Sequence, residues 1–223
     1  EHRVLSALAT NPNLNTNLMD IILNKQKYAL ATNPNLPLEL LYQFSQSQDS
    51  MVRSLLAINP IIFEENNLEI ARFLIHDKQQ DVKPGLFENK NTDFIDRIVS
   101  ELETLSDSKL LGELSNGIDF YRACIAKSNA ISQNIQSKLM VDKVDYVKSI
   151  LASNPVISEK TQLQLAKDED IKVLLSLARN PNIFSSVQEK LIKNYFDDNI
   201  VRVLAINPNL SNENYNKLYN SGD

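Results

Sequence analysis

Glycine is scarce in this chain, at 4 of 223 residues, and proline comes to 8. Gly-rich phosphate loops and the frequent tight turns of an all-β barrel have almost nothing to be built from, which leaves a largely helical chain. The single cysteine, Cys124, excludes an intramolecular disulfide and any four-cysteine metal cluster, and fits a reducing compartment. No apolar run approaches the roughly 18–20 residues of a membrane span, and the opening Glu1-His2-Arg3-Val4-Leu5 does not read as a signal peptide. Nor is there a large excess of positive charge: the formal charge of −5 does not suggest non-specific binding to nucleic acid or to anionic membranes. What is present, 43% apolar and 23% charged residues, is ordinary globular composition, enough for one long domain or two small ones. The expectation is a cytoplasmic protein.

The dominant feature is a repeat. Leu-Ala-x-Asn-Pro-x-(Leu/Ile) occurs six times, with its Asn at Asn11, Asn33, Asn59, Asn154, Asn180 and Asn207, at intervals of 22, 26, 95, 26 and 27. Three residues after each Asn stands Leu14, Leu36, Ile62, Ile157, Ile183 or Leu210; eleven after it stands Ile22, Phe44, Ile70, Leu165, Leu191 or Leu218. The long gap is about four periods, so the array is expected to continue through it in worn form. Ser128 takes the Asn place in one such unit, with Ile125, Ala126, Ile131 and Leu139 in register. Asn89 is a weaker candidate, preceded by Leu86 and Phe87 but followed by Lys90 and Thr92. Phe94, Ile95, Ile98, Leu102 and Leu105 read as one amphipathic helix and Lys109–Leu114 as another, while Lys78–Gly85, polar and closed by Pro-Gly, reads as a loop or boundary.

Each unit reads as two helices. Apolar residues seven and three places before the Asn, such as Val52/Leu56, Val147/Leu151, Val173/Leu177 and Ile200/Leu204, form one face of a short helix. Proline then pushes the preceding Asn out of the α region and ends it, and the Asn side chain can accept the N–H two residues on. A second helix follows, with Ser132, Ser158 and Ser211 as caps, a Ser185-x-x-Gln188 box, and Pro37 at a first helical position. Polar links such as 46–50, 167–170 and 197–199 lead to the next short helix. Neither helix can bury its stripe alone, so the units must stack, with the repeated Ala marking the closest approach. The fold expected is all-α, an α-solenoid of about seven to nine two-helix repeats of 22–27 residues. Its parts would be residues 1–77, a degenerate segment 78–118, and 119–223 ending in a polar capping helix, all one continuous solenoid. The first helix begins almost at residue 1 without Met or cap, which leads us to expect further units or another domain before it.

Val52-Arg53-Ser54-Leu55-Leu56-Ala57-Ile58-Asn59-Pro60, with its near copy Val201–Pro208, resembles the repeat of the bacterial leucine-rich repeat variant family, over roughly residues 1–76 and 119–223. The resemblance implies a right-handed superhelix of alternating α and shorter, sometimes 3₁₀, helices. The Cys-rich iron–sulfur segment of the founding family pattern has no counterpart here, so no redox role or cofactor is carried over.

The residues that bear chemistry form no catalytic set. Cys124 falls in a column otherwise filled by Ala7, Ala29, Leu55, Ile150, Ser176 and Val203 and reads as a buried core residue. His2 and His76 have no partners at metal or triad spacing. Asp49, Asp119, Asp145, Asp170 and Asp198 all lie nine or ten residues before the key position, where capping and the helix dipole favour a carboxylate. Stacking would align them as an acidic row, with Arg53, Arg122, Lys148, Lys172 and Arg202 partly neutralising it. Asn13, Asn35, Asn182 and Asn209 line up in the turns and suit either turn chemistry or a polar ladder for an extended peptide. These two rows are the expected partner-binding edge. The expected function is a non-enzymatic protein–protein scaffold with no cofactor, metal or membrane, taking a protein or peptide partner. Nucleic-acid binding by clusters such as Lys138, Lys143, Lys148 or Lys190, Lys193 is the alternative, against which the acidic balance argues.

Overall fold

The computed structural model describes residues 2–79, 81–194 and 198–220, and over these the chain is all-α, with sixteen α-helices, two 3₁₀ turns and no strand. The chain divides into two compact units, Glu1–Arg97 and Ile98–Asp223. The division falls inside one helix, Asp93–Glu103.

The first unit holds α1 (His2–Ala9), α2 (Thr16–Ala31), α3 (Leu38–Ser45), α4 (Ser50–Ile58), α5 (Leu68–Ile75), α6 (Lys83–Glu88) and the start of α7 (Asp93–Glu103). Helices α1, α2, α4 and α6 pack in succession, and α3 packs on α5. Spacing between key residues explains two irregularities. The 22-residue interval from Asn11 to Asn33 lacks the usual link, and α2 instead runs from one unit into the next through a kink at Gln26, where φ is −137°. Between Asn59 and Asn89 the interval is 30, and the added residues form the 3₁₀ turns Pro60–Phe63 and Glu65–Asn67, pinned by the buried Asn67 amide donating to the Ile61 carbonyl at 2.9 Å.

The second unit holds the rest of α7, then α8 (Asp107–Asn116), α9 (Asp119–Lys127), α10 (Gln133–Leu139), α11 (Asp145–Ser153), α12 (Glu159–Leu165), α13 (Ile171–Arg179), α14 (Ser185–Asn194), α15 (Asp198–Ala205) and α16 (Asn212–Asn220). Short helices α9, α11, α13 and α15 pack one on the next; on the other side α8 meets α10, α12 meets α14, and α14 meets α16. Most of these helices have ten residues or fewer, below the length that persists alone in water, so tertiary burial must hold them. It does: Leu30, Leu56, Leu86, Leu151, Leu177 and Leu204 are fully buried, as are Ile70, Leu165 and Leu191 from the second helices. Each such side chain contributes roughly 1.5–3 kcal/mol.

The short helices end as the Asn-Pro chemistry dictates. Asn59 and Asn154 sit at φ −72°, ψ near 122°, extended backbone that stops the helix. Asn89 and Ser128 take nearly the same conformation although Lys90 and Asn129 follow them, so proline is dispensable to the turn. Ser132 and Ser158 cap as expected, accepting the backbone N–H three residues on, and Ser211 accepts that of Asn214.

Three local expectations are corrected. The Lys78–Gly85 segment is not all loop: α6 starts at Lys83, with Pro84 in the first turn, where a missing N–H has no helical partner to lose. Gly85 belongs to the helix, and its lack of a side chain lets α6 approach α4; a Cβ there would stand 2.9 Å from the Ser54 carbonyl oxygen and 3.0 Å from Ala57 Cβ. Pro37 is the N-cap of α3, one place before its first residue. Finally, Gln188 does not close a box on Ser185, because its amide bonds to the following repeat.

Candidate functional site

The side chains of Asn33, Asn59, Asn89, Asn154, Asn180 and Asn207 are buried and make the same three hydrogen bonds from unit to unit, while Asn11 is exposed and makes the turn bond. Each Oδ1 accepts the backbone N–H two residues on, at 2.8–3.2 Å, which forms the turn. Each buried amide then reaches backwards into the preceding repeat. Asn59 donates to the carbonyls of Ala31 and Asn33 at 2.9 and 2.7 Å, Asn89 to Ala57 and Asn59 at 2.9 and 2.8 Å, and Asn180 to Ala152 and Asn154 at 2.7 and 2.8 Å. Asn33, Asn154 and Asn207 repeat the pattern. The carbonyls at the end of a helix have no partner within it, and here the next unit supplies one. Asn89, the weaker candidate by sequence, is a full member of this ladder. Ser128 keeps the turn bond, its Oγ accepting from the Ala130 N–H at 3.0 Å, but directs its hydroxyl at Glu103 at 2.8 Å.

The expected binding-edge asparagines are exposed, and three of their amides also point backwards: Asn35 donates to Pro12, Asn182 to Pro155 and Asn209 to Pro181, each at the proline carbonyl. Asn13 donates its backbone N–H to Asn11. One amide N–H each of Asn35, Asn182 and Asn209 thus joins neighbouring turns.

The aspartates divide by position. Asp49 and Asp170, ten residues before the key Asn, cap α4 and α13 by accepting the N–H two residues on, at 3.0 and 2.6 Å. Asp119, Asp145 and Asp198, nine before it, instead occupy the first helical position, where the dipole favours a negative charge. Asp49 is held further: Lys27 Nζ and Tyr28 Oη donate to its Oδ2 at 2.6 and 2.8 Å, and these bonds lower its carboxyl to about 2. Asp145 pairs with Lys148 at 3.0 Å. The bases do not mainly neutralise this row. They cross to a second set of aspartates in the links: Arg53 to Asp77 at 2.5 Å, Arg122 to Asp142 at 2.7 Å and Lys148 to Asp168 at 2.6 Å. Arg53 and Arg122 also donate to carbonyls of their own links, Ser47 and Gly117, so each guanidinium ties two links together.

A further ladder escaped the sequence reading. Gln136, Gln162 and Gln188, 26 residues apart, are buried in the second helices of the second unit. Gln162 donates to the Asn182 carbonyl and accepts from the Phe184 N–H at 3.0 and 3.1 Å, and Gln188 does the same with Asn209 and Ser211 at 2.8 and 3.0 Å. Gln136 accepts from Ser158 N–H and Thr161 Oγ1. Their even spacing was the available signal. In the first unit Met19 and Leu41 stand at this register position.

Cys124 is buried in α9, and burial pushes its thiol up to about 12, which leaves the nucleophilic thiolate unpopulated near neutral pH. His76 ends α5, exposed, with Nδ1 at 2.9 Å from the Arg72 carbonyl; the side chain of His2 lies outside the described residues, as does Asp197. Among the described residues no group of His, Cys, Asp and Glu could hold a metal ion, and no helix is long and apolar enough to cross a membrane.

Comparisons with family models, with curated proteins and with solved structures find no match. The surface left outside the ladders therefore carries the functional reading. Large apolar side chains lie exposed on it, among them Met51 at 57%, Val141 at 65% and Ile206 at 82%. On α13 and α15, Lys172, Arg179 and Arg202 are exposed and have no ion-pair partner among the described residues. A cleft of about 500 Å³ lies between α8, α9 and the link from α10 to α11.

Proposed function

We propose that this chain is a non-enzymatic protein-binding scaffold of leucine-rich-repeat-variant-like helical repeats, acting in a bacterial cytoplasm. One observation carries the reading. The recurring polar side chains are used internally, as rungs between repeats, while large apolar side chains such as Met51, Val141 and Ile206 remain in solvent. A framework tied from repeat to repeat meets a partner with little ordering cost, and exposed large apolar side chains can serve as its anchors. The resemblance of Val52–Pro60 to the variant repeat points the same way.

The test is photo-crosslinking from a benzoylphenylalanine placed at Met51 or Ile206 in cells that express the chain. Discrete protein adducts, identified by mass spectrometry, are expected. If neither position yields a protein adduct, the scaffold reading is abandoned. A second reading, nucleic-acid binding, draws on the exposed Lys172, Arg179 and Arg202, and predicts nucleic-acid adducts whose yield falls steeply with salt.

A further inference from the structure

Resting on the protein-binding reading above, we infer that the cleft between α8, α9 and the α10–α11 link is a docking site for an acidic peptide segment bearing an apolar side chain. The cleft's volume, about 500 Å³, falls within the roughly 300–1,000 Å³ of ordinary ligand pockets. Its floor begins with Leu111 and Leu114, one turn apart on the same face of α8 and only half-buried. Val141, in the link beyond α10, completes an apolar lining that the described residues of the second unit leave open, and it is 65% exposed.

The charge around this lining is what selects the partner. Arg122 and Asp142 both line the cleft but satisfy each other through two bonds, at 2.7 and 3.2 Å, which also fixes the link in place. Lys138 and Lys143 remain, both exposed and neither with an ion-pair partner among the described residues. Two free cations beside an apolar floor complement a ligand that carries carboxylates next to a Leu-, Ile- or Phe-like anchor. A single-stranded nucleic acid fits less well, since among the described residues no aromatic side chain lines the cleft to stack a base, and two lysines neutralise few phosphates.

The experiment is selection from a library of random linear peptides on the full chain, followed by titration of the enriched peptides. The comparison protein is the Lys138→Glu/Lys143→Glu double variant, whose fold is checked by circular dichroism. Enriched peptides should be acidic with an apolar anchor and shift the methyl resonances of Leu111, Leu114 and Val141. Their binding should fall by roughly tenfold or more in the double variant and in Val141→Asp. Failure to enrich any peptide, enrichment without acidic bias, or equal binding to the double variant would overturn the site. So would lysine-dependent binding of a single-stranded DNA oligonucleotide tighter than that of any selected peptide. Protein adducts at Met51 or Ile206 with no peptide at the cleft would leave the scaffold reading standing and remove only this site.

Discussion

The side-chain amide of Asn180 lies 2.8 Å from the backbone carbonyl of Asn154, one repeat earlier, and the amide of Asn207 stands 3.0 Å from the carbonyl of Asn180 in turn. From Asn33 onward each key Asn thus closes its own turn and caps the helix behind it, which explains why the most regular polar residue of the repeat is also among the most buried. Replacing Asn180 by Ala removes both backward bonds and leaves the Ala152 and Asn154 carbonyls unpaired in the interior. A loss of about 2–5 kcal/mol is expected in urea unfolding, against less than about 1 kcal/mol for Asn182→Ala on the exposed side of the same turn. Equal effects at the two positions would mean that the inner ladder contributes nothing special.

Leu177→Ala should cost roughly 2–5 kcal/mol, because Leu177 is fully buried between stacked short helices and a cavity would remain. Thermal unfolding followed by circular dichroism measures it; an unchanged midpoint would remove this leucine column from the core.

Alanine at the two helical glycines should act with opposite signs. At Gly85 the new methyl meets Ser54 and Ala57 on α4, backbone and packed side chain that cannot easily yield, so the first unit loses stability. At Gly112 in α8 a methyl would have nothing within 4 Å, and there alanine should stabilise by up to about 1 kcal/mol through helix propensity. Urea unfolding of the two variants measures both effects; unchanged or increased stability of Gly85→Ala would show that the close approach of α6 to α4 carries no weight.

The pH dependence of stability should carry the mark of Asp49. Hydrogen bonds from Lys27 and Tyr28 hold its carboxyl at about 2 in the folded chain, below the value of roughly 4 in an unfolded one. Its stabilising contribution is therefore complete above about pH 4 and disappears as pH falls through about 2. The stability difference between the native chain and Asp49→Asn should shrink over that window; a constant difference from neutral to acid pH would show that the pairing has no energetic weight.

Cys124 should resist alkylation by iodoacetamide in the native state and react once the second unit unfolds, since burial pushes the thiol up to about 12. Labelling followed by mass spectrometry with increasing urea should track the loss of helix around α9. Rapid reaction without denaturant would contradict its burial.

The helical class, the two-helix unit and its turn were legible in residue order, because each depends on interactions within about ten residues. Val52 and Leu56 share a face by helix geometry alone, and Asn59 before Pro60 must leave the α region whatever packs on it. Ser132, Ser158 and Ser211 could likewise be read as caps. The long-range partners could not. Arg53 has Asp49 nearby in sequence, yet it pairs with Asp77, 24 residues away, because stacking brings that link closer. Asn89 reads as worn for want of a following proline, but its amide bonds depend on the carbonyls of Ala57 and Asn59, which only the packed chain presents. Gly85 reads as a loop breaker until α4 lies against it. Local pattern sets where helices begin and end because backbone sterics and capping act over a turn or two; which polar groups face one another across repeats, and which apolar groups stay in water, is settled by how the helices dock.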